Sequence, residues 1–195
     1  MVKEWLYQIM SPDVCVTRSP RSYNSQIGVP LSVWLLNEHT QLGIFEAGIS
    51  QPGEMRALRG IIQPTIAVLT NLGAAHQENF ESMQAKCKEK IQLFHDAQTV
   101  VYDADDSVIA AEVEASGYPG ECLCWSLTDA HAPMYISRID KGDAHTLVTY
   151  SYQGGAEQHY QLPFIDDASI SNSIICATVA LHLGVSAAAL ALRMQ

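Results

Sequence analysis

Up to about residue 125, short runs rich in β-branched residues alternate with stretches whose apolar residues recur at helical spacing. The runs predict strands at 14–18, 43–46, 65–70, 99–102 and 121–125, and the stretches between them predict helices at 2–9, 31–37, 53–62, 82–95 and 107–115. Strands and helices in strict alternation build a mostly parallel sheet flanked by helices, so the fold class is α/β. Pro30, at a helix start where a missing N–H costs nothing, and Pro64, just before a strand, punctuate the pattern at tolerated places.

Beyond Trp125 the texture changes. Runs at 134–139, 145–152 and 158–162 read as strands joined by the polar turns Lys141-Gly142-Asp143 and Gly154-Gly155, so these neighbours should pair antiparallel. A helical pattern at 169–183 closes at Gly184, and a second helix begins near Ser186. With no linker or repeat, the chain divides into a parallel α/β part over 1–125, a small antiparallel β annex over 126–165 and C-terminal helices over 166–195. It opens almost directly on a helix, although α/β folds feed their first helix from a strand, so it reads as a piece of something longer.

Composition narrows the function classes. Of 195 residues, 48% are apolar, enough for a sizeable core. Lys and Arg total 11 against 21 Asp and Glu, and no basic stripe collects, which argues against nucleic acid and anionic membrane as partners. Five scattered Cys fit reduced thiols. Cys122 and Cys124, one residue apart on a predicted strand, lack a second Cys/His pair at zinc spacing and read as core packing. No run approaches the roughly 18 apolar residues of a spanning helix, and the first residues lack a signal-peptide layout, so the expected location is the cytoplasm.

Ligands in a parallel sheet bind beyond the carboxyl ends of its strands. Glu46 ends one predicted strand and is followed by the small residues Ala47 and Gly48; His76 lies a few residues past the strand at 65–70. Taken singly, such a Glu serves equally as a helix cap or solvated group, and a lone His as a structural one; at neighbouring strand ends the two could ligate one divalent cation. On the helix at 82–95, Lys86 and Lys88 read as a solvated face balancing Glu81 and Glu89. Lys90 is followed by Ile91, Leu93 and Phe94, so its stem should run along buried surface, where an amine loses protons more readily. Asn24, Ser25, Gln26, Ile27 and Gly28 form either an ordinary turn or a polar loop feeding a helix N-terminus that attracts anions. The chain contains no GxxxxGK followed by Ser or Thr, and no GxGxxG, GxSxG or HExxH.

Taken together, RSYNSQIGVPLS, FEAGISQPGEMRAL and TNLGAAHQENFES, in that order, resemble successive motifs of the central domain of the Mur ligases, ATP-dependent amide ligases of peptidoglycan precursor synthesis. The resemblance covers essentially the whole chain and is densest from Ser19 to Phe94. It is strongest to the members that add D-alanyl-D-alanine to UDP-N-acetylmuramoyl-tripeptide, in particular a form fused to alanine racemase. It implies a P-loop NTPase-like central domain whose Glu46 and His76 help bind magnesium. Lys90, four residues before Phe94, matches a Lys that is carbamylated in several members and supports the metal near the ATP γ-phosphate. Asn24 and Ser25 fall in the stretch that meets the UDP-sugar peptide or the metal. SISNSIICATVALHLG is similar to the family's late helix, which implies Asn172 near adenine, although Ala168 and Ser169 stand where His and Asn are usual.

The family's phosphate-binding loop should immediately precede the helix that VKEWLYQIM resembles, and neither it nor the family's N-terminal UDP-binding and C-terminal domains are in the sequence. The resemblance therefore implies a chain that, alone, binds nucleotide weakly and does not ligate. An interior strand lost with that loop would leave unpaired edges inviting self-association. The alternatives are a folylpolyglutamate synthase-like ligase, which uses the same acyl-phosphate route, and a non-catalytic α/β binding module.

Overall fold

The structure is a computed structural model that describes residues 1–73 and 75–195. In chain order the elements are α1 (Val2–Met10), β1 (Val16–Arg18), α2 (Gly28–Val33), β2 (Leu42–Ile44), α3 (Glu54–Ile62), β3 (Ile66–Val68), α4 (Met83–Lys90), β4 (Thr99–Asp103), α5 (Ser107–Ala115), β5 (Glu121–Ser126), β6 (Met134–Lys141), β7 (Thr146–Tyr152), β8 (Gln158–Leu162), α6 (Asp167–His182) and α7 (Ala187–Arg193). The predicted alternation holds throughout. Single 3₁₀ turns occur at Gln77–Asn79 and Ile91–Phe94, the second replacing the last turn of the helix expected to reach residue 95.

Local chemistry sets the boundaries. Ser82 caps α4 by accepting the N–H of Ala85, Asp106 caps α5 through Val108 and Ile109, and Asp166 caps α6 through Ser169. The helix expected at 31–37 starts three residues earlier, because Ser25 supplies its hydroxyl to the N–H of Gly28 and its carbonyl to that of Val29. Pro30 then falls in the first turn, where its missing N–H is still harmless. That helix start is closed upon Ser25, which removes the reading of this loop as an open anion site.

Strands β3, β4, β5 and β6 pair parallel, and β6, β7 and β8 antiparallel, in one six-stranded sheet. The antiparallel part is therefore continuous with the parallel sheet, joined where Trp125 and Ser126 pair with Met134 and Tyr135. Residues alternate across β4: Val101 enters a core built with α1, α6 and α7, while Val100 enters a second core with Cys87 and Phe94 of the α4 region and Ile109 and Val113 of α5. At the start of this sheet the N–H groups of Gln98 and Thr99 bond the carbonyl of Thr65, and the Thr99 hydroxyl bonds the carboxylate of Glu121.

Strands β1 and β2 form a separate parallel pair whose Val16, Leu42 and Ile44 pack against the first core, while Val29, Ile49, Met55, Leu58 and Phe80 build a third cluster. Among the described residues, β2 pairs only with β1 and β3 only with β4. Leu42 N–H and the Ile44 carbonyl bond residues of the β1 segment, so alternation turns the peptide groups of Gly43 to the free edge. Thr65 and Leu69 bond the β4 segment, which turns those of Ile66 and Val68 the other way. Between these edges lies a cavity of about 1160 Å³, walled by Leu42, Ile44, Ile66 and Val68 and floored by Leu6 and Met10 of α1.

Candidate functional site

Beyond β2 the chain turns through Phe45 to Glu46, which therefore stands two residues past the strand it was expected to end. The Glu46 N–H donates to the hydroxyl of buried Ser19 (3.2 Å), and Asn24 Nδ2 donates to Glu46 Oε1 (2.9 Å). The Asn24 carbonyl accepts from Gly48 N–H (2.7 Å), and a Cβ on Gly48 would lie 3.1 Å from Asn24 Nδ2, so the glycine permits this clasp. Among the described residues Glu46 Oε2 has no hydrogen-bond partner. Ser25 is exposed beside this pair, its hydroxyl committed to α2.

Gly53, at φ +89°, opens α3, and Glu54 folds back to accept the N–H groups of Ser50 (2.6 Å) and Gln51 (2.9 Å). Those two bonds, lying close to the helix start, hold its carboxyl below the usual range. Asn79 donates to the carbonyl of Ser50 (2.9 Å), and Glu89 accepts the N–H of Met55 (2.9 Å), binding the α3 region to the β3–α4 connection and to α4 itself. Glu54→Gln is expected to cost about 1 kcal/mol near neutral pH, a value kept small by solvent screening. Because the folded pKa lies below the ordinary value of 4.5, the contribution is full above that value and lost as pH falls through the folded pKa. Thermal melts of the two proteins should therefore separate at neutral pH and converge in acid.

His76 is exposed and sits in left-handed backbone conformation at φ +59°. Lys90 donates to the carbonyl of Asn71 (2.9 Å), and burial, then the charge of Lys86, push its amine down from 10.5. Lys86 corrects the sequence reading. It is 2% exposed, not solvated, and donates to the carbonyls of Gly73 (2.7 Å) and Ala75 (2.5 Å), whereas Lys88 is exposed as expected, 3.8 Å from Glu112. Opposite, on α6, Asn172 Nδ2 lies 3.4 Å from Met1 Sδ.

Asn24, Ser25, Glu46, His76, Lys90 and Asn172 all line this cavity. Glu46 and His76 do not end hydrogen-bonded neighbours, since β2 and β3 belong to different sheets, yet both border this space. Sequence reasoning missed Glu54 and Lys86, which line it as well. Among the described residues no three His, Cys, Asp or Glu converge into a metal cage. A magnesium ion bound through one or two protein groups plus phosphate oxygens and water fits that donor set, Glu46 having one oxygen free. No helix among the described residues is long and apolar enough to cross a membrane.

The family model described as the Mur ligase middle domain matches residues 1–180. The UDP-N-acetylmuramoyl-tripeptide–D-alanyl-D-alanine ligase of Borreliella burgdorferi is 28% identical over 191 residues, 94% of this chain and 39% of that protein. A crystal structure of MurF from Acinetobacter baumannii superposes with a TM-score of 0.88 at 22% identity, covering 99% of this chain and 42% of that one. MurF ligase from Thermotoga maritima, in complex with ADP, gives 0.83 at 22%, covering 97% and 44%. An L. casei FPGS gives 0.70 at 14%, covering 99% and 59%. The chain spans about two fifths of the length of the ligases it matches end to end.

Proposed function

We propose, because the chain belongs to the Mur ligase middle domain family, that its cavity is the nucleotide and metal site of an ATP-dependent amide ligase that adds D-alanyl-D-alanine to UDP-N-acetylmuramoyl-tripeptide in cell-wall precursor synthesis. The observation that carries the reading is that six side chains from five separate stretches of sequence border one space. Residues 1–195 form the middle domain in this reading, and the substrates' remaining contacts come from outside it.

In such a ligase the tripeptide carboxylate attacks the γ-phosphate of ATP to give an acyl phosphate, which the incoming amine opens. Charge on the transferring phosphoryl group must be neutralised and water kept away, and little covalent chemistry falls to the protein. Magnesium, when bound, supplies that neutralisation. Glu46 would hold it through the carboxylate oxygen not bonded to Asn24, with His76, on the lining of the same cavity, as the second protein group. Lys90, its amine lowered by burial, is suited to carbamylation, which only the neutral amine undergoes, and would then support the metal. Asn172 borders the adenine end, and Asn24 and Ser25 border the substrate end.

Asn24→Ala removes the partner that orients Glu46, and outer-shell losses of this kind cost about 10- to 100-fold in metal affinity. In a full-length ligase carrying this domain, a rise of that size in the magnesium concentration needed for half-maximal turnover is the expected result. The reading itself is tested by phosphate release from that ligase with D-alanyl-D-alanine against glutamate as acceptor. Preference for glutamate would favour the folylpolyglutamate synthase-like alternative, and no turnover with either would favour a binding module. The chain alone, which has no GxxxxGK loop to cradle phosphates, is proposed to be inactive and to bind magnesium-ATP weakly. Calorimetry giving micromolar affinity would overturn that.

A further inference from the structure

Two lysines one helical turn apart, Lys86 and Lys90, both donate to main-chain carbonyls of the segment after β3: Lys90 to Asn71, Lys86 to Gly73 and Ala75. Among the described residues neither ammonium is within ion-pair reach of a carboxylate. A charge buried to 2% exposure needs its donors satisfied, and here neutral carbonyls alone are seen to satisfy them. Burying a lysine to hold loop carbonyls is costly unless those carbonyls must be held. The residue directly after them explains why. His76 is a non-glycine residue at φ +59°, and Gly73 is at +46°. Such a conformation costs on the order of 1 kcal/mol or more and persists only where surrounding contacts fix it.

We propose that Lys86 is a positioning residue for His76: by clamping the carbonyls of Gly73 and Ala75 to α4, it fixes the left-handed backbone that presents the imidazole to the cavity. The proposal rests on the reading of His76 as a metal-site residue only for its consequence, not for its geometry. Lys90 cannot substitute, because its single bond lies at Asn71, five residues from the imidazole. Lys86→Met keeps the length and apolar stem and removes the donors; Lys86→Arg restores the charge and donors.

The test uses the chain in solution by NMR, with manganese as a paramagnetic stand-in for magnesium. In the wild type the Cα and Cβ shifts of His76 should report a left-handed residue, and manganese should broaden its imidazole signals together with the amides around Glu46. In Lys86→Met the His76 shifts should move to right-handed or averaged values, and the imidazole should need about tenfold more manganese for equal broadening, while the amides of β4 to β8 keep their wild-type positions. Lys86→Arg should recover most of the left-handed signature. Unchanged His76 shifts in a folded Lys86→Met protein would overturn the positioning role. If Lys86→Met does not fold, Lys86→Gln, too short to reach both carbonyls, is read in its place: His76 shifts displaced from left-handed values support the role, and unchanged shifts overturn it. Absence of broadening in the wild type, with the shift change present, would instead overturn the metal reading and leave the positioning role standing.

Discussion

Glu46→Ala in a full-length ligase carrying this domain is expected to lower turnover by at least about a hundredfold with the fold intact. Losing a group that only orients a metal ligand costs about 10- to 100-fold, so losing the ligand itself should cost no less. Glu46 is partly exposed, its side chain bonds only Asn24, and neither residue belongs to any of the three apolar clusters, so alanine opens no buried void. The decisive measurement is kcat at saturating magnesium beside a thermal melt. Turnover within a few-fold of wild type at limiting magnesium would remove Glu46 from the site.

The chain by itself is expected to self-associate through the facing edges of β2 and β3. Peptide groups of Gly43, Ile66 and Val68 turn toward the cavity of about 1160 Å³ without a ladder partner among the described residues. Unpaired edges recruit another strand, because it supplies their backbone donors and acceptors with a mate and covers the apolar side chains beside them. Sedimentation should show mass rising with protein concentration, and the amides of these three residues should gain protection from exchange in parallel. A monomer at every concentration, with those amides already protected, would mean that the two sheets close upon each other.

The alternation of strands and helices was legible because turn chemistry bounds the strands and the strands of the main sheet carry continuous apolar runs, at 66–69 in β3 and 100–102 in β4, whose Val100 and Val101 enter cores on opposite faces. The antiparallel hairpins were legible from their polar turns. Continuity of β5 with β6 was not, since parallel pairing across a seven-residue connection leaves no local signal. The residue types of the site could be read, but its geometry could not: Asn24 and Glu46 meet across 22 positions, and β2 and β3 turn out to flank a cavity and not to adjoin. Lys86 shows the limit most clearly. Met83–Lys90 is polar almost throughout, and its buried side is Lys86 and Cys87, so no apolar stripe marks which way the helix faces. Only the loop carbonyls, distant in sequence, decide it.

Because β4 feeds an apolar layer on each side, sliding it by one residue would exchange Val100 and Val101 at almost no loss of hydrophobic contact, so oiliness alone does not choose its alignment. The choice falls to the polar knot at its entry, where Thr65, Gln98, Thr99 and Glu121 lock three strands to a common origin. The side-chain pair at that rim, Thr99 with Glu121, thus acts as the zero mark from which the rest of the sheet is counted.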